Sequence, residues 1–281
     1  MPELPEVETT RQGITPHVKA HSITSVTVRN FKLRWPIPSN IEDILLGQSV
    51  NHINRRAKYL LLQCDKGTLI IHLGMSGHLQ ITDNSKPVGK HDHVDIQFDN
   101  GLILRYTDPR RFGSILWSEL DDINQHPLLN HLAPEPLSTA FSIDYLRPLA
   151  QGRRTTIKAF IMNSKFVVGV GNIYANEALF LSGIHPKRIA GELDEQQLDT
   201  LINIIKEVLN KAIDAGGTTL KDFRNSDGKP GYFSQQLNVY GREHEACSQC
   251  GSEIQHYKEA QRATYFCPKC QVNKTQYTQI T

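Results

Sequence analysis

A chain of 281 residues with 39% hydrophobic and 21% charged side chains has material for a full core and for more than one domain. No apolar run reaches bilayer-spanning length, and the acidic start lacks the basic and apolar regions of a secretory signal, so a cytoplasmic location is expected. A net charge of +2 does not exclude an acidic partner, because basic residues gather locally at Arg55-Arg56-Ala57-Lys58, Arg110-Arg111 and Arg153-Arg154, with Lys158 one turn on.

The first element is a helix. Pro5 suits a first helical turn, and Val7, Ile14 and Val18 fall on one face. Methionine before a small residue is normally trimmed, which would expose Pro2 as a secondary amine. Such an amine is a strong nucleophile toward an aldehyde-like carbon, and its product is an iminium. A free α-amino group titrates about a unit above neutrality. The positive end of a helix dipole beside it disfavours the ammonium form. Glu3 and Glu6 place carboxyl groups within reach.

Short alternating or apolar runs follow at 23–29, 50–55, 59–64, 68–72, 79–81, 92–99 and 102–107. They read as antiparallel strands. The Asn100-Gly101 pair between the last two predicts a hairpin with a type I′ turn. Cys64 belongs to an apolar strand and reads as a small buried hydrophobe. His91 and His93 alternate onto one strand face, but no third ligand at a metal-like spacing accompanies them. The stretch Ala133-Pro134-Glu135-Pro136-Leu137 marks a domain boundary.

Beyond it the chain reads as helical. Ser142 caps one helix, and Leu198, Leu201, Ile202, Ile205, Val208, Leu209 and Ala212 form the apolar face of a longer one that stops at Gly216-Gly217. Gly169-Val170-Gly171-Asn172 predicts a tight turn between helices, with Asn172 as N-cap and with exposed amides suited to a phosphate. The polar, glycine-rich stretch 216–231 is long for a loop inside a compact protein, which leaves a functional loop or a disordered one.

Cys247 and Cys250, a sixteen-residue spacer, and Cys267 and Cys270 follow. Two C-x2-C pairs at this spacing read as a four-thiolate zinc ribbon. Two disulfides are the alternative, disfavoured in a cytosolic chain. With four cysteine ligands the zinc has no open position, so its role is structural. The expected architecture is α+β and multidomain. An N-terminal antiparallel β-sandwich with flanking helices (1–133), with a flattened barrel as the alternative, precedes a helical domain (134–237), a zinc ribbon (238–272) and a tail without visible pattern (273–281).

Taken in order, MPELPEVET, RRAKYLLL, IHLGMSG, KHDHVD, LRYTDPRRFG, GVGNIYANEAL, GGTTLKDF, DGKPGYF and the ribbon's AQRATYFC resemble the formamidopyrimidine-DNA glycosylases. These are bacterial base-excision enzymes of the wider helix-two-turn-helix glycosylase family. The resemblance covers nearly the whole chain, from Met1 to Cys270. It implies a helix-two-turn-helix DNA-binding domain in the second half and a bifunctional glycosylase and lyase for oxidised purines in duplex DNA.

It also implies roles. Pro2 attacks C1′ of the damaged nucleotide, and Glu3 protonates the opening sugar. Lys58 assists β-elimination and grips a phosphate, with Glu6 in the same pocket. Arg262 serves δ-elimination and phosphate clamping. The damaged nucleotide must leave the stack to be reached. Met75, Arg110 and Phe112 match the family's void-filling triad, an apolar wedge with an arginine for the orphaned base. His91, Arg153, Asn172 and Tyr240 match further DNA contacts, and the 216–231 stretch corresponds to a loop closing over the lesion. Arg153 stands where lysine is common in relatives.

Two rival readings remain at this point. One is an endonuclease VIII-type enzyme for oxidised pyrimidines, although that branch typically has glycine at the position of Leu4. The other is a non-enzymatic zinc-ribbon nucleic-acid-binding protein, which leaves Pro2-Glu3 without a purpose. A monomer is expected, since no oligomerisation stripe is visible.

Overall fold

A computed structural model describes residues 2–218 and 236–272. Met1, most of the glycine-rich stretch (219–231) and the tail 273–281 lie outside the described residues. The described residues form two compact units, 2–131 with 213–218 and 132–212 with 236–272.

In the first unit, helix α1 (Leu4–Val18) precedes β1 (Ile23–Val28), a short α2 (Ile41–Leu45), β2 (Val50–Arg56), β3 (Tyr59–Cys64) and β4 (Gly67–His72). Then come β5 (His78–Thr82), β6 (Asp92–Phe98), β7 (Ile103–Thr107) and β8 (Ser114–Ser118). Two antiparallel four-stranded sheets result, in the orders β1-β6-β7-β5 and β2-β3-β4-β8. Leu60, Leu62, Leu69 and Ile71 of one sheet and Val94, Ile96, Leu104 and Tyr106 of the other share one buried cluster with Val7, Ile14 and Val18 of α1. The sandwich core and the apolar helix face are thus one body of packing.

The β6–β7 connection departs from the expected type I′ turn. Only Gly101 has positive φ (+79°), and Gly101 N–H donates to Phe98 O while Phe98 N–H donates to Leu102 O. That is a longer loop with glycine in the left-handed position. Asp99 is drawn aside by His21 Nδ1 (2.7 Å) and Ser22 N–H (3.1 Å), and Asn100 Nδ2 reaches His17 O. These side-chain bonds override the dipeptide preference.

The second unit contains α3 (Ile143–Ala150), α4 (Ile157–Ile161), α5 (Asn172–Leu181), most of α6 (Glu195–Asp214), and the ribbon hairpin β9 (Gln255–Glu259) and β10 (Arg262–Phe266). Ser142 caps α3 through Tyr145 N–H, and all seven apolar residues expected on α6 are buried. Two expectations are corrected here. Gly171, not Asn172, is the N-cap of α5, and Asn172 begins the helix. Its amide is engaged elsewhere, as described below. Lys158 is not part of a basic surface: it is 2% exposed and donates to Ala263 O (3.2 Å) and Thr264 Oγ1 (2.6 Å).

Candidate active site and nucleic-acid interface

Pro2 and Glu3 lead into α1 and both are buried. Glu3 is the N-cap, and its backbone N–H donates to Glu6 Oε2 at 2.8 Å within a reciprocal capping box. Glu6 Oε1 takes a second backbone donor, Thr218 N–H, at 2.8 Å. Gly217 arrives at φ +83°, and a Cβ there would stand 3.3 Å from Glu6 Oε1. Glycine therefore serves twice, for the left-handed turn and for the close approach. The Thr9 and Thr10 hydroxyls donate to Glu6 O at 3.1 and 2.8 Å, fixing the first turn. One buried carboxylate thus holds the residue after Pro2 and the start of the glycine-rich stretch.

Lys58 lies in the two-residue turn between β2 and β3, where Arg56 faces Tyr59. Its neighbour Ala57 has φ +54°, a conformation that costs a residue with a Cβ about 1–2 kcal/mol. Arg55 holds the turn in place: Nη1 donates to Ala57 O (2.9 Å) and Nε to Glu8 Oε2 (2.9 Å). Glu8 Oε1 also accepts Arg11 Nη2 at 2.7 Å. Burial acts to raise the Glu8 pKa, but hydrogen bonds and charge from Arg11 and Arg55 outweigh it and hold the carboxyl below its ordinary range. The helix following Pro2-Glu3 and the turn bearing Lys58 are therefore tied by an ion pair, and Arg55 acts internally.

His72, on β4 opposite Tyr59, was not singled out from the sequence. Burial, then the charges of Lys58 and Arg34, lower its pKa to about 4 against the opposing effect of Asp108. The ring is neutral at physiological pH, and Nδ1 accepts Gly74 N–H at 3.0 Å.

Met75, Arg110 and Phe112 come together as expected of a wedge. All three are exposed, Met75 at 38% and Phe112 at 43%, and the Arg110 guanidinium lies 5.0 Å from the Phe112 ring centre. Their support is Asp108, 0% exposed, whose carboxylate accepts Ser76 Oγ (2.7 Å), Tyr106 OH (3.0 Å) and Gly113 N–H (2.9 Å). Ser76 Oγ in turn accepts Arg110 N–H at 3.1 Å. Gly74 sits at φ +65°, and a Cβ there would collide with the Phe112 and Gly113 backbone. Sequence reasoning missed Ser76 and Asp108. Their role appears only when two turns 32 residues apart meet.

His91 is half-buried ahead of β6, and its carbonyl accepts Asp108 N–H at 3.0 Å. His93 is buried and donates from Nε2 to Asp108 O at 2.8 Å. The four ribbon cysteines form the only cluster of three or more metal-suited ligands among the described residues, and no third ligand gathers at the histidine pair.

In the second unit Arg153 is exposed, with its guanidinium 4.9 Å from the Phe166 ring centre. Arg262 is exposed at the start of β10, next to a two-residue turn in which Ala260 and Gln261 both have positive φ (+45° and +63°). Asn172 Nδ2 donates to Ala263 O at 3.0 Å. Asn176 accepts Tyr265 N–H at 2.8 Å. Tyr240 is half-buried against Tyr265, ring centres 5.1 Å apart.

The Sγ atoms of Cys247, Cys250, Cys267 and Cys270 lie within 4.8 Å of one another, with Cys247–Cys270 at 3.9 Å and Cys250–Cys267 at 3.4 Å. Tetrahedral zinc with bonds of about 2.3 Å to sulfur requires edges of roughly 3.8 Å. The donor set and its spacing fit one structural zinc. Cys64, by contrast, is a lone thiol that burial, with a smaller push from Asp65, raises to about 12, which makes it inert.

Family models match three successive segments: the formamidopyrimidine-DNA glycosylase N-terminal domain over 1–115, the formamidopyrimidine-DNA glycosylase H2TH domain over 132–224, and the zinc finger found in FPG and IleRS over 245–272. The formamidopyrimidine-DNA glycosylase of Hydrogenovibrio crunogenus is 58% identical over 271 residues, 96% of each chain. That of Shewanella loihica is 55% identical over 96% of this chain and 99% of its own. Among solved structures, a Lactococcus lactis FPG mutant in complex with Fapy-dG-containing DNA superposes with a TM-score of 0.91 at 34% identity, covering 97% of this chain and all of that one. A MutM bound to carbocyclic 8-oxo-G-containing DNA gives 0.89 at 34% identity, with the same coverage.

Proposed function

The chain belongs to the formamidopyrimidine-DNA glycosylase family, and from that premise we infer that it excises oxidised purines from duplex DNA and then cleaves the strand. The observation that carries this reading is Pro2-Glu3 at the N-terminal end of α1, tied through Glu6 to Thr218. With Met1 removed, the Pro2 amine bonds to C1′ as the bond from C1′ to the base breaks. Glu3 delivers a proton to the sugar ring oxygen as the ring opens. The resulting iminium acidifies the C2′ hydrogen, so β-elimination proceeds without a metal-activated water. Lys58 grips a backbone phosphate and assists that proton transfer, and Arg262 supports the following δ-elimination. Met75 and Phe112 occupy the space the extruded nucleotide leaves, and Arg110 hydrogen-bonds the orphaned base. His91, Arg153, Asn172 and Tyr240 contact the DNA.

The zinc holds the ribbon and takes no part in the chemistry. Damaged double-stranded DNA is the partner, bound by a monomer. No helix among the described residues is long and apolar enough to cross a membrane. We place the enzyme in the cytoplasm, at the nucleoid, because its substrate is there.

Borohydride trapping on an 8-oxoguanine duplex tests the reading. A covalent adduct is expected with protein whose Pro2 terminus has been verified by intact mass, and it is lost or strongly reduced in Pro2→Gly. No adduct with verified protein, or undiminished trapping by Pro2→Gly, overturns the assigned nucleophile.

A further inference from the structure

Glu177 is a carboxylate that the chemistry above does not use. It lies on α5, 1% exposed, and accepts four N–H donors from one short segment. Oε2 takes Asn238 N–H (2.8 Å) and Asn238 Nδ2 (3.0 Å), and Oε1 takes Val239 N–H (3.0 Å) and Tyr240 N–H (2.9 Å). From the other side, Arg242 Nη1 donates to Leu237 O (3.2 Å) and Asn238 O (3.0 Å). The Val239 side chain is wholly buried beside Phe180, Cys247, Ile254 and Cys267. The backbone that bears Tyr240 is therefore fixed by its amides, its carbonyls and one core side chain, while the Tyr240 ring rests on Tyr265.

A buried negative charge near a surface that binds phosphates is electrostatically unfavourable for that binding. Its presence makes sense if the geometry it imposes outweighs its charge. We propose that Glu177 is a positioning residue for DNA binding, setting the Asn238–Tyr240 backbone so that the Tyr240 hydroxyl meets a backbone phosphate. This rests on the reading of Tyr240 as a DNA contact.

The sign of the effect makes the test decisive. Glu177→Gln is nearly isosteric but offers one acceptor oxygen, and it points an N–H₂ at backbone N–H groups. If the carboxylate acted by charge alone, its removal would tighten DNA binding. Positioning predicts the opposite: about tenfold weaker binding, the loss of roughly one hydrogen bond to a charged group. Because tyrosine is neutral, the slope of log K against log salt should not change. Loss of a charged contact such as Arg262 would flatten that slope by about one.

The experiment measures binding of the full zinc-loaded chain to a duplex carrying a tetrahydrofuran abasic analogue, over a salt series. Tyr240→Phe, Glu177→Gln and the double variant are compared, with zinc content and melting temperature as controls. We expect both single variants to weaken binding about tenfold at unchanged salt slope, and the double variant to be no weaker than either. Unchanged or tighter binding by Glu177→Gln, additive losses in the double variant, or a flattened slope each overturn the proposal. If Tyr240→Phe itself binds normally, the Tyr240 contact falls and the proposal with it. That result is distinct from a defect in Tyr240→Phe that Glu177→Gln does not share. Should Glu177→Gln lose its zinc or fail to fold, Glu177→Asp, which keeps both oxygens, replaces it. A smaller loss, non-additive with Tyr240→Phe, supports positioning, and an additive one refutes it.

Discussion

The Ser76 hydroxyl donates to the Asp108 carboxylate at 2.7 Å, and this bond joins the turn carrying Met75 to the loop carrying Arg110 and Phe112. The same hydroxyl accepts Arg110 N–H. The three residues that would fill the vacated stack therefore have one shared support. Asp108, fully buried, makes sense only with its three donors in place, since an unpaired carboxylate there would cost several kcal/mol.

Ser76→Ala is accordingly expected to lose about 1–2 kcal/mol of stability. It should slow base excision from an 8-oxoguanine duplex by about tenfold. Cleavage of an already abasic duplex should change much less, because extruding an unpaired sugar is easier. Single-turnover rates on the two substrates check this. Equal slowing of both would place Ser76 in the chemistry and not in the wedge.

Glu6→Gln should do more damage. An amide cannot accept from both Glu3 N–H and Thr218 N–H, and its own N–H₂ would face one of them. A loss of about 1–3 kcal/mol is expected at that buried pair. The rate of borohydride-trappable adduct formation should fall at least tenfold. Wild-type adduct formation by a correctly folded Glu6→Gln protein would show that this tether is dispensable.

Acid should destabilise the protein in two stages. Burial first, aided by positive neighbours, lowers His72 and His185 to about 4, below the ordinary histidine value. The unfolded chain thus takes up these protons before the folded one. The stability they contribute is complete above roughly pH 6.5 and is lost as the pH falls toward 4, by at most about 3 kcal/mol each. Glu8 and Asp95 behave differently. In both, burial acts to raise the pKa and paired arginines outweigh it, so their contribution is present above the unfolded carboxyl pKa and lost only below it. Melting temperature should therefore begin to fall near pH 6.5, and His72→Gln should flatten that first stage. A flat profile down to pH 4.5 would contradict the sign.

Stripping zinc should unfold the ribbon selectively. Stripped of metal, the four cysteines lose the bonds that hold their two turns together, and structural zinc contributes on the order of 10 kcal/mol to such modules. We expect DNA affinity to collapse while the β-sandwich, which has its own core, keeps a cooperative melt. Metal content, duplex binding and calorimetry on chelator-treated protein check this. Full affinity without zinc would refute it.

The sequence made much of this visible because its strongest signals are local. The α6 stripe, the cysteine spacing, the Ser142 cap and the alternating strands each follow from a few neighbouring residues. What it concealed is long-range. Asn100-Gly101 favours one turn in isolation, but His21, Ser22 and His17 draw the preceding residues into another. Asn172 reads as a cap until its amide is needed by Ala263, and Lys158 reads as a surface cation until β10 covers it. Asp108 and Glu177 look like ordinary surface acids in the sequence. Their value arises from donors up to 63 positions away, which no periodicity records.

The side chains that approach β10 have a consequence for solubility. A two-stranded ribbon ordinarily leaves its outer backbone groups open to a foreign strand, the route by which small β-modules polymerise. Here Ala263 O is capped by Asn172 and Lys158, and Tyr265 N–H by Asn176, so an extended peptide reaching that flank would find these two groups already taken. A crowded cell could concentrate this protein without β10 seeding fibres.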